Sequence, residues 1–332
     1  MAEISLWLSA RCFHVAGLRL NIGRTMRNSI MLSFKPITIQ NQAVISDYVR
    51  CSDIRSSSYC FVDLLIWQRQ FNTQFCIADD LLFIKMRSYI GDRSVYLMPV
   101  GSGNFANGIL RILEDAGMHG QIPVITALSA EGLEKIEHLF PNRFSFCEMR
   151  GSEDYIYRSE DLIDLCGRKF HEKKNHINHF RKTYAGRWHY GNMSESDMGA
   201  VLSFHEQWMN SYSLDKNRYL LGERQALICA FHYFDRLKLR GSLLYLDHRL
   251  IGFAIGIQGL NDTFIVQFEK ADRKIVGAYQ MINQLFAQHH CRQVQWINRE
   301  EDLGIKGLRR AKLTYHPVWL NVEYQATCKR EY

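Results

Sequence analysis

The sequence predicts an α/β protein of two successive units, each a mixed sheet flanked by helices, and three observations carry that prediction. Helical and strand patterns alternate from Phe34 onward, the second half repeats the style of the first, and 332 residues are enough for two domains that each bury a core. A hydrophobic content of 47% with 23% charged residues fits a globular chain.

In the first half, residues 41–50 and 61–69 carry apolar positions at helical spacing. Residues 74–77 and 81–86 read as a strand pair turning at Ala78, Asp79 and Asp80, and 94–98 as another strand. Gly101, Gly103 and Asn104 form a loop ahead of a helix over 105–116. A strand at 123–126, a helix at 131–139 and closing strands at 143–149 and 154–157 complete a domain spanning 34–158.

The second domain, 159–332, opens with a helical stretch at 161–184 that Gly167 interrupts, followed by helices at 195–211 and 223–239. A hairpin, 242–246 with 250–258, turns at Asp247 and His248. A strand at 263–269, a glycine turn, a helix at 278–290 and a strand at 293–297 follow. That order suggests the acetyltransferase-like fold, in which a central strand splays from its neighbour and leaves a binding cleft. The fold class is therefore α/β (α+β), mixed sheets flanked by helices, with the second unit acyl-CoA N-acyltransferase (GNAT)-like.

Composition narrows the setting. No apolar run approaches the roughly 20 residues of a membrane-spanning helix. The nine cysteines form no C-x-x-C pair, and their odd number does not fit a closed disulfide framework, so reduced thiols and a cytoplasmic location are expected. The net charge of +7 favours polyanions such as RNA or an anionic membrane surface. Residues 1–30, where Arg11, Arg19, Arg24 and Arg27 face only Glu3, read as a poorly ordered extension with Met26 or Met31 as the true start.

The stretch 295–317, QWINREEDLGIKGLRRAKLTYHP, concentrates the chemistry. It delivers Asn298, Arg299, Glu300, Glu301 and Asp302 to the carboxyl end of a strand, where open α/β sheets place ligands. Gly304 and Gly307 allow sharp turning or close approach, and Arg309, Arg310 and Lys312 follow on a short helix. The competing reading is a solvated, capped helix with scattered ion pairs. The turn at 271–278, with Asp272, Lys274 and Gly277, approximates the loop that presents main-chain N–H groups to coenzyme A, although Tyr279 occupies its last small position. Glu269 and Tyr279 flank this turn as substrate-binding candidates.

The stretch 167–182, GRKFHEKKNHINHFRK, sets Arg168, Lys169, Lys173, Lys174, Arg181 and Lys182 against Glu172 alone, a face suited to nucleic-acid phosphates or simply to solvent. His176 and His179 stand at metal-ligand spacing beside His171, but no neighbouring Cys or paired carboxylate completes a site, so no metal is expected. A nucleophile elbow is also absent from the sequence.

Taken together, 169–180 (KFHEKKNHINHF), 268–283 (FEKADRKIVGAYQMIN) and 298–317 (NREEDLGIKGLRRAKLTYHP) resemble soluble bacterial proteins related to the C-terminal domain of phosphatidylglycerol lysyltransferase, over residues 34 to 325. The resemblance implies tandem acetyltransferase-like domains, a plan shared with the Fem transferases, and an active cleft mainly in the second. It implies transfer of an amino acid from aminoacyl-tRNA to an amine or hydroxyl, with no bound cofactor. An acyl-CoA-dependent transferase and a non-catalytic RNA or anionic-surface binding module are the alternatives. On the aminoacyl-tRNA reading Lys312, in the Ala311-Lys312 element, is the cation for the developing oxyanion. Glu300, Glu301 and Asp302 then hold the donor ammonium or assist proton removal.

Overall fold

The computed structural model describes residues 31–52, 54–88, 93–211 and 218–329. The extension expected at 1–30 lies outside the described residues. The chain divides into two compact units: the first contains the residues up to 54, 71–150 and those from 322 on, and the second contains 55–70 and 151–321.

The first unit is an eight-stranded sheet whose path runs Lys35–Pro36, Gln74–Ala78, Leu81–Arg87, Ser94–Leu97, Val124–Leu128, Tyr324–Cys328 and Phe144–Glu148, with Val100–Gly101 pairing off Leu81–Arg87. The expected hairpin forms because Asp79 and Asp80 both take positive φ, the geometry whose twist matches that of the flanking strands. Among the described residues the sheet has one parallel pair, Ser94–Leu97 with Val124–Leu128, and the helix Phe105–Met118 makes the crossover that a parallel pair requires. Asn104 caps that helix through its side chain, and Ser129 caps Ala130–Leu139 in the same way.

The second unit has a seven-stranded sheet in the order Trp319–Asn321, Asp154–Arg158, Trp296–Asn298, Thr263–Ala271, Arg249–Gln258, Arg240–Leu246, Trp188–Asn192. Its parallel pair is Thr263–Ala271 with Trp296–Asn298, joined by the helix Ala278–His290. Ala278, Met281, Ile282, Leu285, Phe286 and Ala287 of that helix are buried, and they join Tyr155, Tyr157, Phe170 and Phe180 in one core. Both units thus repeat a strand, crossover helix, parallel strand plan, the tandem acyltransferase-like architecture.

Three expectations change. The strand expected to close the first domain, now Asp154–Arg158, sits in the second sheet between Trp296–Asn298 and Trp319–Asn321. In return Tyr324–Cys328 fills the slot between Val124–Leu128 and Phe144–Glu148 in the first. A single boundary at 158 is therefore replaced by an exchange of strands, and 55–70 joins the second unit as well. The final strand of the crossover begins at Trp296 rather than 293, because Val294 N–H donates to Cys291 O and Gln295 N–H to Asp262.

Candidate functional site

The second sheet opens where its parallel pair ends. Thr263, Phe264 and Ile265 pair with Trp296, Ile297 and Asn298, and beyond Ile265 the strand keeps only its antiparallel neighbour Arg249–Gln258. On that side the register shifts at Ile255/Gly256, so Gln267 is the extra residue of a bulge. Past the bulge, Glu269 turns to the crossover helix, where Asn283 Nδ2 donates to it at 2.8 Å. Lys270 turns to the opposite face and pairs with Glu223 at 2.7 Å, which lies 2.8 Å from buried His205. Burial alone would raise the Glu223 carboxyl, but Lys270 and His205 hold it at about 2. In the first unit the equivalent pair stays closed, with Met98 N–H donating to Thr126 O.

The segment after Asn298 forms the floor of the opening. Asn298 is fully buried, donates to Asp154 and accepts from Glu300 N–H, while Glu300 adopts φ 55°, an uncommon conformation for a residue with a side chain. Lys312 holds this turn. Its Nζ donates to the carbonyls of Arg299 (2.5 Å), Glu300 (2.9 Å) and Glu301. Burial pushes its pKa down to about 8, against the opposing pull of Glu301. The three N–H donors of the ammonium are matched by three carbonyls, so the residue expected to stabilise an oxyanion is instead a main-chain clamp. Glu300 O also accepts from Tyr155 N–H, and Lys312 gathers all three carbonyls of the turn onto one ammonium.

Asp302 is likewise committed. Arg309 grips it through two hydrogen bonds of 2.7 and 2.9 Å, the Tyr155 hydroxyl donates at 2.6 Å and Gly304 N–H at 2.8 Å. Burial would raise the Asp302 carboxyl, but these bonds hold it below its ordinary value. Asp302, the expected ammonium ligand, thus anchors a turn, and Arg309, an expected substrate ligand, is its partner there. Gly304 takes φ 73° in that turn, and Gly307 lies exposed in the helix Lys306–Leu313 with open space around its Cα.

Arg299 emerges as the cation of the opening. It pairs with Glu269 at 2.9 Å, lies over the rings of Tyr157 (5.6 Å) and Tyr315 (4.8 Å), and keeps one buried terminal nitrogen, Nη1, without a partner. Lys173 points inward rather than to solvent, its Nζ 4.8 Å from the Tyr315 ring, and burial lowers its pKa. Helical phase explains the difference: Lys173 shares its buried face with Ile177 and Phe180.

On the bulge side lies a group of acids that the sequence reading gathered only in part. Asp63, from the helix Phe61–Ile66, accepts from Gln267 Nε2 at 3.1 Å. Asp154 accepts from Ser57 N–H and Oγ, both at 2.7 Å. Burial raises the carboxyls of Asp63 and Glu300 far above their ordinary range, with the charges of Glu301 and Asp154 adding to the rise at Asp63 and those of Asp63, Glu301 and Asp154 to the rise at Glu300; burial also raises Glu301 and Asp154. The Cys60 thiol is pushed up by burial and by Asp63. Glu300 Oε1 and Gln267 Oε1 are buried without a partner. The one available sequence signal for Asp63 was a lone acid inside an apolar helix.

The turn expected to cradle coenzyme A has another use. Gly277 takes φ 88°, and a Cβ there would stand 2.5 Å from His176 O and 2.9 Å from Phe180 Cβ, so the glycine serves helix packing. Asp272 pairs with Arg249 and caps Lys274 N–H, and the Tyr279 hydroxyl accepts from Trp208 Nε1 at 2.9 Å. Of the basic helix, Lys169 is tied to Asp161 at 2.9 Å, Lys174 is half-buried, and Arg168, Arg181 and Lys182 face solvent. Among the described residues no group of three or more His, Cys, Asp or Glu side chains is arranged to hold a metal, and no helix is long and apolar enough to cross a membrane.

Comparison with known proteins agrees with this architecture. The chain is 37% identical to a conserved protein of unknown function from Bacteroides thetaiotaomicron, with a TM-score of 0.83, covering 90% of this chain and 100% of that one. It shares its fold with L-PGS from Bacillus licheniformis, at 14% identity and a TM-score of 0.61, covering 92% of this chain and 95% of the other. An uncharacterized protein of Mycoplasmoides gallisepticum is 24% identical over 243 residues, 71% of this chain and 76% of that protein. The family model described as phosphatidylglycerol lysyltransferase, C-terminal, matches residues 49–327, and the chain belongs to that family.

Proposed function

We propose that the second unit is an aminoacyltransferase that moves an amino acid from aminoacyl-tRNA to an amine or hydroxyl acceptor. The observation that carries this reading is the buried Arg299 guanidinium, held by Glu269 at the strand opening, with its Nη1 left unpartnered. Ester aminolysis or transesterification is helped by a cation for the developing oxyanion and a base for the acceptor's proton. The acceptor attacks the ester carbonyl and loses its proton to a carboxylate, for which Glu300 is the candidate. Arg299 Nη1 meets the oxygen on which negative charge develops, the role first expected of Lys312. Collapse of the tetrahedral species releases the ribose oxygen, which takes the proton back. Glu269 and Asn283 orient the guanidinium.

Acyl-CoA is a weaker donor on this geometry, because N–H groups of that turn are used within it: those of Lys274 and Ile275 donate to Asp272 and that of Ala278 to Ile275 O. The test is incubation with a mixture of labelled aminoacyl-tRNAs, following label into lipid, peptide and wall-precursor fractions. Arg299→Met should lower transfer by roughly a hundredfold with the far-UV circular dichroism unchanged. A folded Arg299→Met protein with wild-type turnover removes Arg299 from the mechanism. Label that the intact protein releases only as free amino acid overturns the transferase reading.

A further inference from the structure

The two faces of the open strand are chemically unlike. Glu269, Arg299 and Asn283 meet on the face of the crossover helix, whereas Gln267 meets Asp63 on the face of the helix Phe61–Ile66. Four carboxyl groups, Asp63, Asp154, Glu300 and Glu301, interact there around one ammonium, Lys312, whose donors already serve main-chain carbonyls. Asp154 has three donors of its own. Asp63 accepts from Gln267 Nε2 and from the Cys60 thiol, whereas Glu300 Oε1 is left without a partner.

A second, independent observation comes from a neutral side chain. Gln267 is only 7% exposed; its amide nitrogen donates to Asp63, and its buried amide oxygen has no partner. The bulge places it there, on the same side as Phe268. An unpartnered amide oxygen and an unpartnered carboxyl oxygen, both grouped with the Asp63 carboxyl, form a site that lacks a multiply donating cation. A water can give two hydrogens, and a hydroxyl one. A primary ammonium gives three and carries the missing charge.

We infer that Asp63, Gln267 and Glu300 bind a primary ammonium group, and that the acceptor of the transfer is therefore an amine, deprotonated at this place before it attacks. This rests on the aminoacyltransferase reading for the second clause but not for the first. The step balances: R–NH3+ gives one proton to the Glu300 carboxylate and forms the C–N bond to the ester carbonyl carbon. The C–O bond to the ribose breaks, the ribose oxygen takes a proton, and the product is an amide with one proton released overall. Asp63 and Gln267 hold the ammonium, and the raised affinity of these carboxyls for protons suits Glu300 to accept one.

The experiment has a binding arm and a transfer arm, both with the full chain. The binding arm titrates n-propylammonium chloride, with potassium chloride at equal ionic strength and n-propanol as controls, by saturation-transfer NMR and thermal shift. Saturable binding of n-propylammonium, none of propanol, and a loss of at least about tenfold in affinity in Asp63→Asn and in Glu300→Gln are expected. No saturable binding, or binding that neither variant weakens, overturns the ammonium site whether or not the protein transfers amino acids. Alanine methyl ester, a mimic of the donor, is titrated against bound n-propylammonium. Competition that depends on Asp63 assigns the site to the donor and overturns the amine acceptor.

The transfer arm supplies labelled aminoacyl-tRNA with n-propylamine or with glycerol. An alkali-stable amide from n-propylamine supports the inference. Alkali-labile ester from glycerol with no amide overturns the acceptor assignment while leaving a transferase. If ammonium binding is intact and neither product forms, the transferase reading fails and takes the acceptor assignment with it.

Discussion

At the scale of single residues, Lys312 shows how a cation can be diverted by its surroundings. A lysine near a charge-rich loop reads as an electrophilic group, but position 312 meets three inward-facing carbonyls before it meets any ligand. Replacing it with Met leaves those carbonyls and the adjoining carboxyls without their cation, a loss of about 3–5 kcal/mol by analogy with broken buried charge pairs. Chemical denaturation should record that loss, and transfer by the variant should fall only as its folded fraction falls. A Lys312→Met protein of wild-type stability with abolished transfer would restore the lysine to the chemistry. The pH dependence has a definite sign. Burial holds the folded-state value at about 8, below the ordinary 10.5, so between those limits the unfolded chain binds more protons than the folded one. Stability contributed at this position therefore rises as pH increases from about 8 to about 10.5 in the wild type, a rise absent from Lys312→Met. Gln267 and Arg299 illustrate the limit of reading such sites from sequence: their chemistry comes from lost donors and acceptors, and only the folded chain decides which atoms go unpartnered.

At the scale of elements, what local pattern governs was legible and what long-range pairing governs was not. The turns at Asp79 and Asp80 and at Asp247 and His248, and the helix Ala278–His290, follow from turn chemistry and apolar spacing within a few residues. The slots in the two sheets do not. Asp154–Arg158 and Tyr324–Cys328 are both five-residue strands with antiparallel neighbours on each side, and nothing within either segment says which sheet receives it. The strand Trp188–Asn192 carries little strand signal of its own, because Gly191 and Asn192 are residue types that strands disfavour. The exchange makes the last residues structural for the first unit. Deleting 322–332 removes the strand between Val124–Leu128 and Phe144–Glu148, leaving both with an unpaired edge. The expected loss is on the order of a domain's whole 5–15 kcal/mol. Hydrogen exchange should show protection collapsing in 124–128 and 144–148 while it persists in 263–265. Unchanged protection in 124–128 would mean that the last strand contributes nothing to that sheet.

At the scale of the molecule, the net charge of +7 acquires meaning from where cations remain free. Six basic residues between 168 and 182 suggested one polyanion-binding face, but the fold divides them: Lys173 lines the interior beside Tyr315 and Lys169 is held by Asp161. Arg168, Lys174, Arg181 and Lys182 are what a tRNA phosphate chain could still meet, with Arg181 only loosely tied to Gln284 at 3.5 Å. Each phosphate contact contributes about 0.7–0.9 to the slope of log affinity against log salt. Replacing Arg168, Arg181 and Lys182 together with Ala should therefore flatten the slope for aminoacyl-tRNA binding by about 2 to 3. The exposed positions make little contribution to stability, so the melting temperature should not move. Asp63→Asn, buried on the strand's other face, should leave the salt slope as it is and act on the acceptor alone. A triple variant with the wild-type slope would show that the charge-dense helix is a solvated surface and that the tRNA backbone is met elsewhere.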